Sequence, residues 1–232
     1  MNYRADSYKH SFSSVVEEVT AQGVILEETY FYPAGGGQPG DEGTLTSSTN
    51  EYAVRNTRQQ NGRVIHVIKH HELQPGDAVE AQINTDKRYA LMRMHTAAHV
   101  ISAVLAREEQ AKITGNQLGT QESRVDFNLD AFSRKQLRAY QARVNQALAQ
   151  EHPVRTETLI RAEAEKKLAQ LSSLAAGLPA HIKDVRIVHI GELDAQACAG
   201  THVRNTKEVG EVVFTRTKNK GANNRRIYFS LS

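Results

Sequence analysis

His95 and His99 stand four residues apart in a run, Asp86 to Ile101, that contains neither glycine nor proline. If that run is helical, the two imidazoles leave one face a turn apart, a separation that one metal ion can bridge. Paired histidines on helices are common and by themselves prove little. Far along the chain Cys198-Ala199-Gly200-Thr201-His202 repeats the spacing with a thiol and an imidazole, and Cys198 is the only cysteine. Three imidazoles and one thiolate make a tetrahedral donor set suited to zinc. Donor types alone leave open whether such an ion is structural or catalytic. The helix reads His-Thr-Ala-Ala-His and lacks the glutamate of His-Glu-x-x-His, which sets a metallopeptidase aside.

The elements that must carry these groups follow from pattern. Up to about residue 85 the chain alternates short apolar runs, such as Gly23–Leu26, Val64–Ile68 and Ala78–Ala81, with turns, of which Gln74-Pro75-Gly76-Asp77 is the clearest. This predicts a small β-barrel over residues 1–85. From Asp86 the sequence changes to good helix formers with apolar residues on a helical period, so the histidine pair should ride on a long, largely buried helix. A second helix should start at Ser133, with Gln136 completing a capping box, and stop before Pro153, burying Leu137, Tyr140, Val144 and Leu148. Another helical stretch runs from about Arg161 to Leu174. Val185–Ile190 reads as a buried strand, and Val212–Thr215 with Arg226–Phe229 as a closing hairpin.

Composition is that of an ordinary globular protein: 232 residues, 39% hydrophobic and 24% charged, with a net charge of +3. A lone cysteine cannot form an internal disulfide. The start, Met1 to Asp6, has no apolar core of a signal peptide, and no window approaches the roughly 18 apolar residues of a membrane span. The expected setting is cytoplasmic, with no membrane partner. The weak positive charge permits a polyanionic partner without requiring one.

Arg88 to His99, together with Cys198-Ala199-Gly200-Thr201-His202, resembles the editing domain of alanyl-tRNA synthetases and their freestanding relatives, the medium-length alanyl-tRNA editing proteins. The likeness extends to Pro33-Ala34-Gly35-Gly36-Gly37-Gln38-Pro39-Gly40-Asp41, to Ser123-Arg124-Val125-Asp126-Phe127 and to Lys218-Asn219-Lys220-Gly221, and so covers nearly the whole chain. It implies an α+β fold, with the barrel followed over residues 86–232 by an editing domain of the threonyl/alanyl-tRNA synthetase type. It further implies zinc on His95, His99, Cys198 and His202, and hydrolysis in trans of the ester joining serine, or glycine, to tRNA for alanine, sparing Ala-tRNA. Aminoacylation is not expected, because the barrel and the editing unit already account for the length. Whether zinc activates water or anchors the substrate stays open.

Rejecting alanine while accepting serine demands groups that use the extra hydroxyl. Thr114 and Gln117, in the polar segment Ile113-Thr114-Gly115-Asn116-Gln117, carry suitable donors and acceptors. That segment reads equally as a plain polar loop. The glycine-rich Gly36-Gly37-Gln38 lacks the Gly-Lys-Ser/Thr ending of a nucleotide-binding loop and suits a tight connection approaching the active site or the tRNA terminus, or nearly as well a plain barrel turn. The terminal loop gathers Arg216, Lys218, Lys220, Arg225 and Arg226, and Lys218 and Lys220 are the best placed to meet acceptor-end phosphates. Two competing readings are the serine-editing domain of threonyl-tRNA synthetases and a non-catalytic tRNA-binding module in which zinc only ties two segments together.

Overall fold

A computed structural model describes residues 2–171 and 182–232, in two compact units, Met1–Leu91 and Met92–Ser232. The architecture is α+β, with three antiparallel sheets and few helices.

The first unit is built on seven strands: β1 (Ser11–Thr20), β2 (Gly23–Leu26), β3 (Gly43–Thr46), β4 (Glu51–Val54), β5 (Asn56–Gln60), β6 (Arg63–Val67) and β7 (Ala78–Ile83). They form one antiparallel sheet in the order β4-β3-β7-β1-β2-β6-β5. In β7 the alternation turns Val79, Ala81 and Ile83 inward, where they meet Phe12, Val16 and Leu45. A closed barrel is not shown: β4 and β5 are the two edges and share no ladder among the described residues. Only Arg55 separates them in sequence, which forces the sheet to curl until its edges adjoin at that one residue.

The Pro33–Asp41 motif has a local explanation within this unit. Gly36 and Gly37 have φ of 56° and 82°. Gly35 and Gln38 exchange backbone bonds of 3.1 and 2.9 Å across them. This is a two-residue hairpin of the type that needs positive φ at both central positions. Gly36 is exposed at the tip, whereas the Gln38 side chain is buried. Asp41, at the end of the motif, accepts from Tyr32 N–H and forms a buried ion pair with Arg88, whose guanidinium also donates 2.7 Å bonds to the carbonyls of Ser7 and Tyr30.

The long helix α1 spans Thr85–Glu109 and includes the predicted run. The second unit adds β8 (Ile113–Gln117), β9 (Ser123–Phe127), α2 (Arg134–Leu148), β10 (Val154–Ile160), α3 (Arg161–Leu171), β11 (Asp184–Ile190), β12 (Asp194–Ala197), β13 (Val212–Asn219) and β14 (Arg225–Leu231). Ser133 caps α2 in the expected box with Gln136, and Tyr140, Val144 and Leu148 are buried, with Leu137 at the margin. Asn145 and Gln141 of α2 bond the backbone of β13 at Val212 and Phe214, which occupies polar groups of an edge strand. α3 packs Ala164 and Leu168 on Val185, Ile187 and Ala195 of the three-stranded sheet β10-β11-β12. Of the helical stretch expected to Leu174, residues 172–174 lie outside the described residues. The remaining sheet runs β13-β14-β9-β8.

Candidate metal centre

α1 brings His95 and His99 to one face, and the segment leaving β12 turns back at Gly200 to present Cys198 and His202 to them. Their ligand atoms all lie within 4.8 Å of one another. Cys198 Sγ is 3.5 Å from His95 Nε2 and 3.3 Å from His202 Nε2. Donors on a tetrahedral zinc stand about 3.3–3.6 Å apart, so these separations already fit a shared ion. The His202 ring centroid is 4.3 Å from that of His95 and 4.6 Å from that of His99, and all three rings are buried.

Burial among these groups moves the protonation of Cys198, His202 and His99 in different directions. Burial alone would raise the Cys198 thiol, but His95 and His202 beside it draw it well below the ordinary thiol range. Burial, reinforced by His95, pushes His202 well below the usual imidazole value. His99 is also buried, yet Asp194 and Cys198 outweigh that cost and hold it up to about 9. The set therefore favours a thiolate with its compensating positive charge at His99, a place that a divalent cation can take over.

Three further side chains hold these groups, and none was singled out from sequence. Arg186 of β11 donates from Nη1 to the carbonyls of Cys198 (2.8 Å) and Gly200 (2.9 Å), fixing the turn between the last two donors. Thr96 Oγ1 accepts from Val203 N–H at 3.3 Å and lies 3.1 Å from His202 Nδ1, leaving Nε2 toward the thiol. Asp194 Oδ2 lies 3.4 Å from His99 Nδ1. An arginine inside the apolar run Val185–Ile190 was a visible signal. Thr96 and Asp194 carried none beyond closeness to the donors.

The other expected residues are carried by other elements. Thr114 and Gln117 sit on β8, not on a loop, and are exposed. Gln117 Oε1 accepts from Arg124 Nε at 3.2 Å. Lys218 lies in β13, one residue before its end, with the exposed Lys220 just beyond, at the opposite edge of the same sheet. Between those edges Asp126 receives two bonds from Arg226, 2.7 and 2.8 Å, and one of 2.9 Å from Arg124. The Arg216 guanidinium stacks 3.3 Å from the Tyr228 ring centroid. Gly36, Gly37 and Gln38 belong to the first unit.

Residues 185–228, which include Cys198 and His202, match the family described as the threonyl and alanyl tRNA synthetase second additional domain. Residues 5–87 match the class II (A) tRNA synthetases. Over 99% of the chain and 97% of the relative, the sequence is 44% identical to the alanyl-tRNA editing protein AlaX-M of Methanosarcina barkeri. It is 34% identical, over 99% of the chain and 97% of the relative, to the protein of the same name from Saccharolobus solfataricus. Against the alanine–tRNA ligase of Methanothrix thermoacetophila it is 32% identical over 96% of the chain but only 24% of the ligase. The chain belongs to the family of alanyl-tRNA editing proteins.

Proposed function

We propose that this protein is a zinc-dependent hydrolase that removes serine, and secondarily glycine, from mischarged tRNA for alanine in trans, in the cytoplasm, while sparing Ala-tRNA. The observation that carries the reading is the convergence of His95, His99, Cys198 and His202 on one point in a chain that aligns end to end with freestanding editing proteins. Zinc bound there would act as a Lewis acid or anchor for the aminoacyl end. The residues themselves do the rest. Arg186 and Thr96 keep the Cys198–His202 turn in place, so that substrate meets a fixed surface rather than one that must reorganise.

Discrimination falls to groups that hydrogen-bond the serine hydroxyl, and Thr114 and Gln117 are assigned that part. Lys218 and Lys220, exposed at the end of the basic sheet, are assigned to acceptor-end phosphates. The Gly36-Gly37-Gln38 hairpin is assigned to the tRNA terminus, with its exposed tip offering backbone while Gln38 anchors the turn from inside.

The test is deacylation of Ser-, Gly- and Ala-tRNA for alanine side by side, with zinc content measured on the same sample. Serine should be released quickly, glycine more slowly and alanine scarcely. A folded, zinc-loaded protein that binds tRNA but releases nothing would make it a binding module, and equal release of all three would remove the specificity assignment.

A further inference from the structure

A buried carboxylate stands behind the donor set. Asp194 begins β12, four residues before Cys198, and its side chain is 8% exposed, as is that of His99. Asp194 Oδ2 and His99 Nδ1 are 3.4 Å apart, and neither atom has a hydrogen-bond partner. A buried carboxylate oxygen without a bond is costly, so its position needs a reason. Backbone pairing supplies none, because β12 is held to β11 through main-chain atoms, Asp194 opposite Ile190. Facing the carboxylate, His99 has only one nitrogen left for the other donors.

We infer that Asp194 is the positioning residue for His99: its carboxylate accepts a hydrogen bond from Nδ1–H, fixes the ring with Nε2 toward Cys198, His95 and His202, and makes that nitrogen a better metal donor. The inference rests on the metal reading. A histidine whose far nitrogen donates to a carboxylate is locked in one tautomer and orientation, and loss of such a partner typically weakens metal binding about 10- to 100-fold. Thr96 stands in the same relation to His202, but with a hydroxyl. Asp194 alone adds negative charge behind the site, which favours a divalent cation over a proton.

The experiment is a zinc titration of metal-free protein against a chromophoric chelator, for the wild type, Asp194→Asn, His99→Ala and the double variant. If the wild type takes up no zinc, the metal reading has failed and the inference with it. If it binds one equivalent, Asp194→Asn should weaken binding about 10- to 100-fold, and the same change on the His99→Ala background should have almost no further effect. Unchanged affinity in the single variant, or an equal loss in both backgrounds, would overturn the role, since the carboxylate would then be inert or would act on the fold at large. Should Asp194→Asn not fold, histidine nitrogen NMR of the zinc-loaded wild type decides. His99 protonated at Nδ1 supports the inference, and protonation at Nε2 overturns it.

Discussion

His66 in the first unit and the trio His95, His99 and His202 in the second are all buried, His66 completely and the others to within 6% exposure. Their surroundings make them different chemical objects. His66 has a partner for each nitrogen, the Val24 carbonyl at 3.2 Å from Nδ1 and the Thr29 hydroxyl at 2.8 Å from Nε2, and its ring meets Phe31 edge-on at 5.0 Å. Nothing is left over for a ligand, and burial lowers its pKa to about 4. In the second unit Thr96 stands behind His202 and Asp194 behind His99, while His95 and His202 turn Nε2 toward the Cys198 thiol, so that the ligand atoms of four residues converge. Burial does not set these histidines apart; convergence does.

The comparison is broken most severely at the thiolate. Cys198→Ala should abolish stoichiometric zinc binding and reduce Ser-tRNA deacylation by two orders of magnitude or more, measured by metal analysis and single-turnover release. Retained zinc and activity would show that the three imidazoles suffice. In the first unit the largest expected effect is on stability. Arg88→Met strands Asp41 without its guanidinium at a site where the two side chains are 4% and 1% exposed, and should cost about 3–5 kcal/mol by urea unfolding. A loss under about 1 kcal/mol would mean that the pair is not a buried clamp.

The smallest effect sharpens the contrast most directly. His66 has a folded pKa of about 4, against about 6.5 when unfolded, so the unfolded chain takes up the proton first. Its contribution is fully present above pH 6.5 and is lost as pH falls from 6.5 to 4, up to about 3 kcal/mol. Thermal unfolding of the wild type between pH 7 and 4 should show that loss, and His66→Gln should flatten it. An unchanged slope would place the pH dependence in other groups.

How far the sequence could be read follows the same division. The α1 run, the α2 capping box, the Gln74–Asp77 turn and the terminal hairpin are local patterns, and each is where its residues predicted. The pairing of His95 and His99 with Cys198 and His202 was legible because each pair repeats a spacing of four and the chain has one cysteine. Less was visible where position depends on partners distant in sequence. A plain polar loop was an equal reading of Ile113-Thr114-Gly115-Asn116-Gln117, which has no apolar alternation, and its strand form comes from pairing with β9. Closure of the first sheet was not legible for the matching reason: alternation announces strands but does not say whether the last pairs with the first. Asp194 and Thr96 stayed hidden because a supporting side chain is defined by what it faces.

The donor set also has a timetable. Its two pairs are each compact in sequence, but Cys198 follows His95 by 103 positions. On a ribosome adding about 5–20 residues per second, the first pair waits roughly 5 to 20 seconds for the second. During that wait the cluster has two of its imidazoles and no thiol. It is complete only once β11 and β12 exist to carry Cys198 and His202 back to α1.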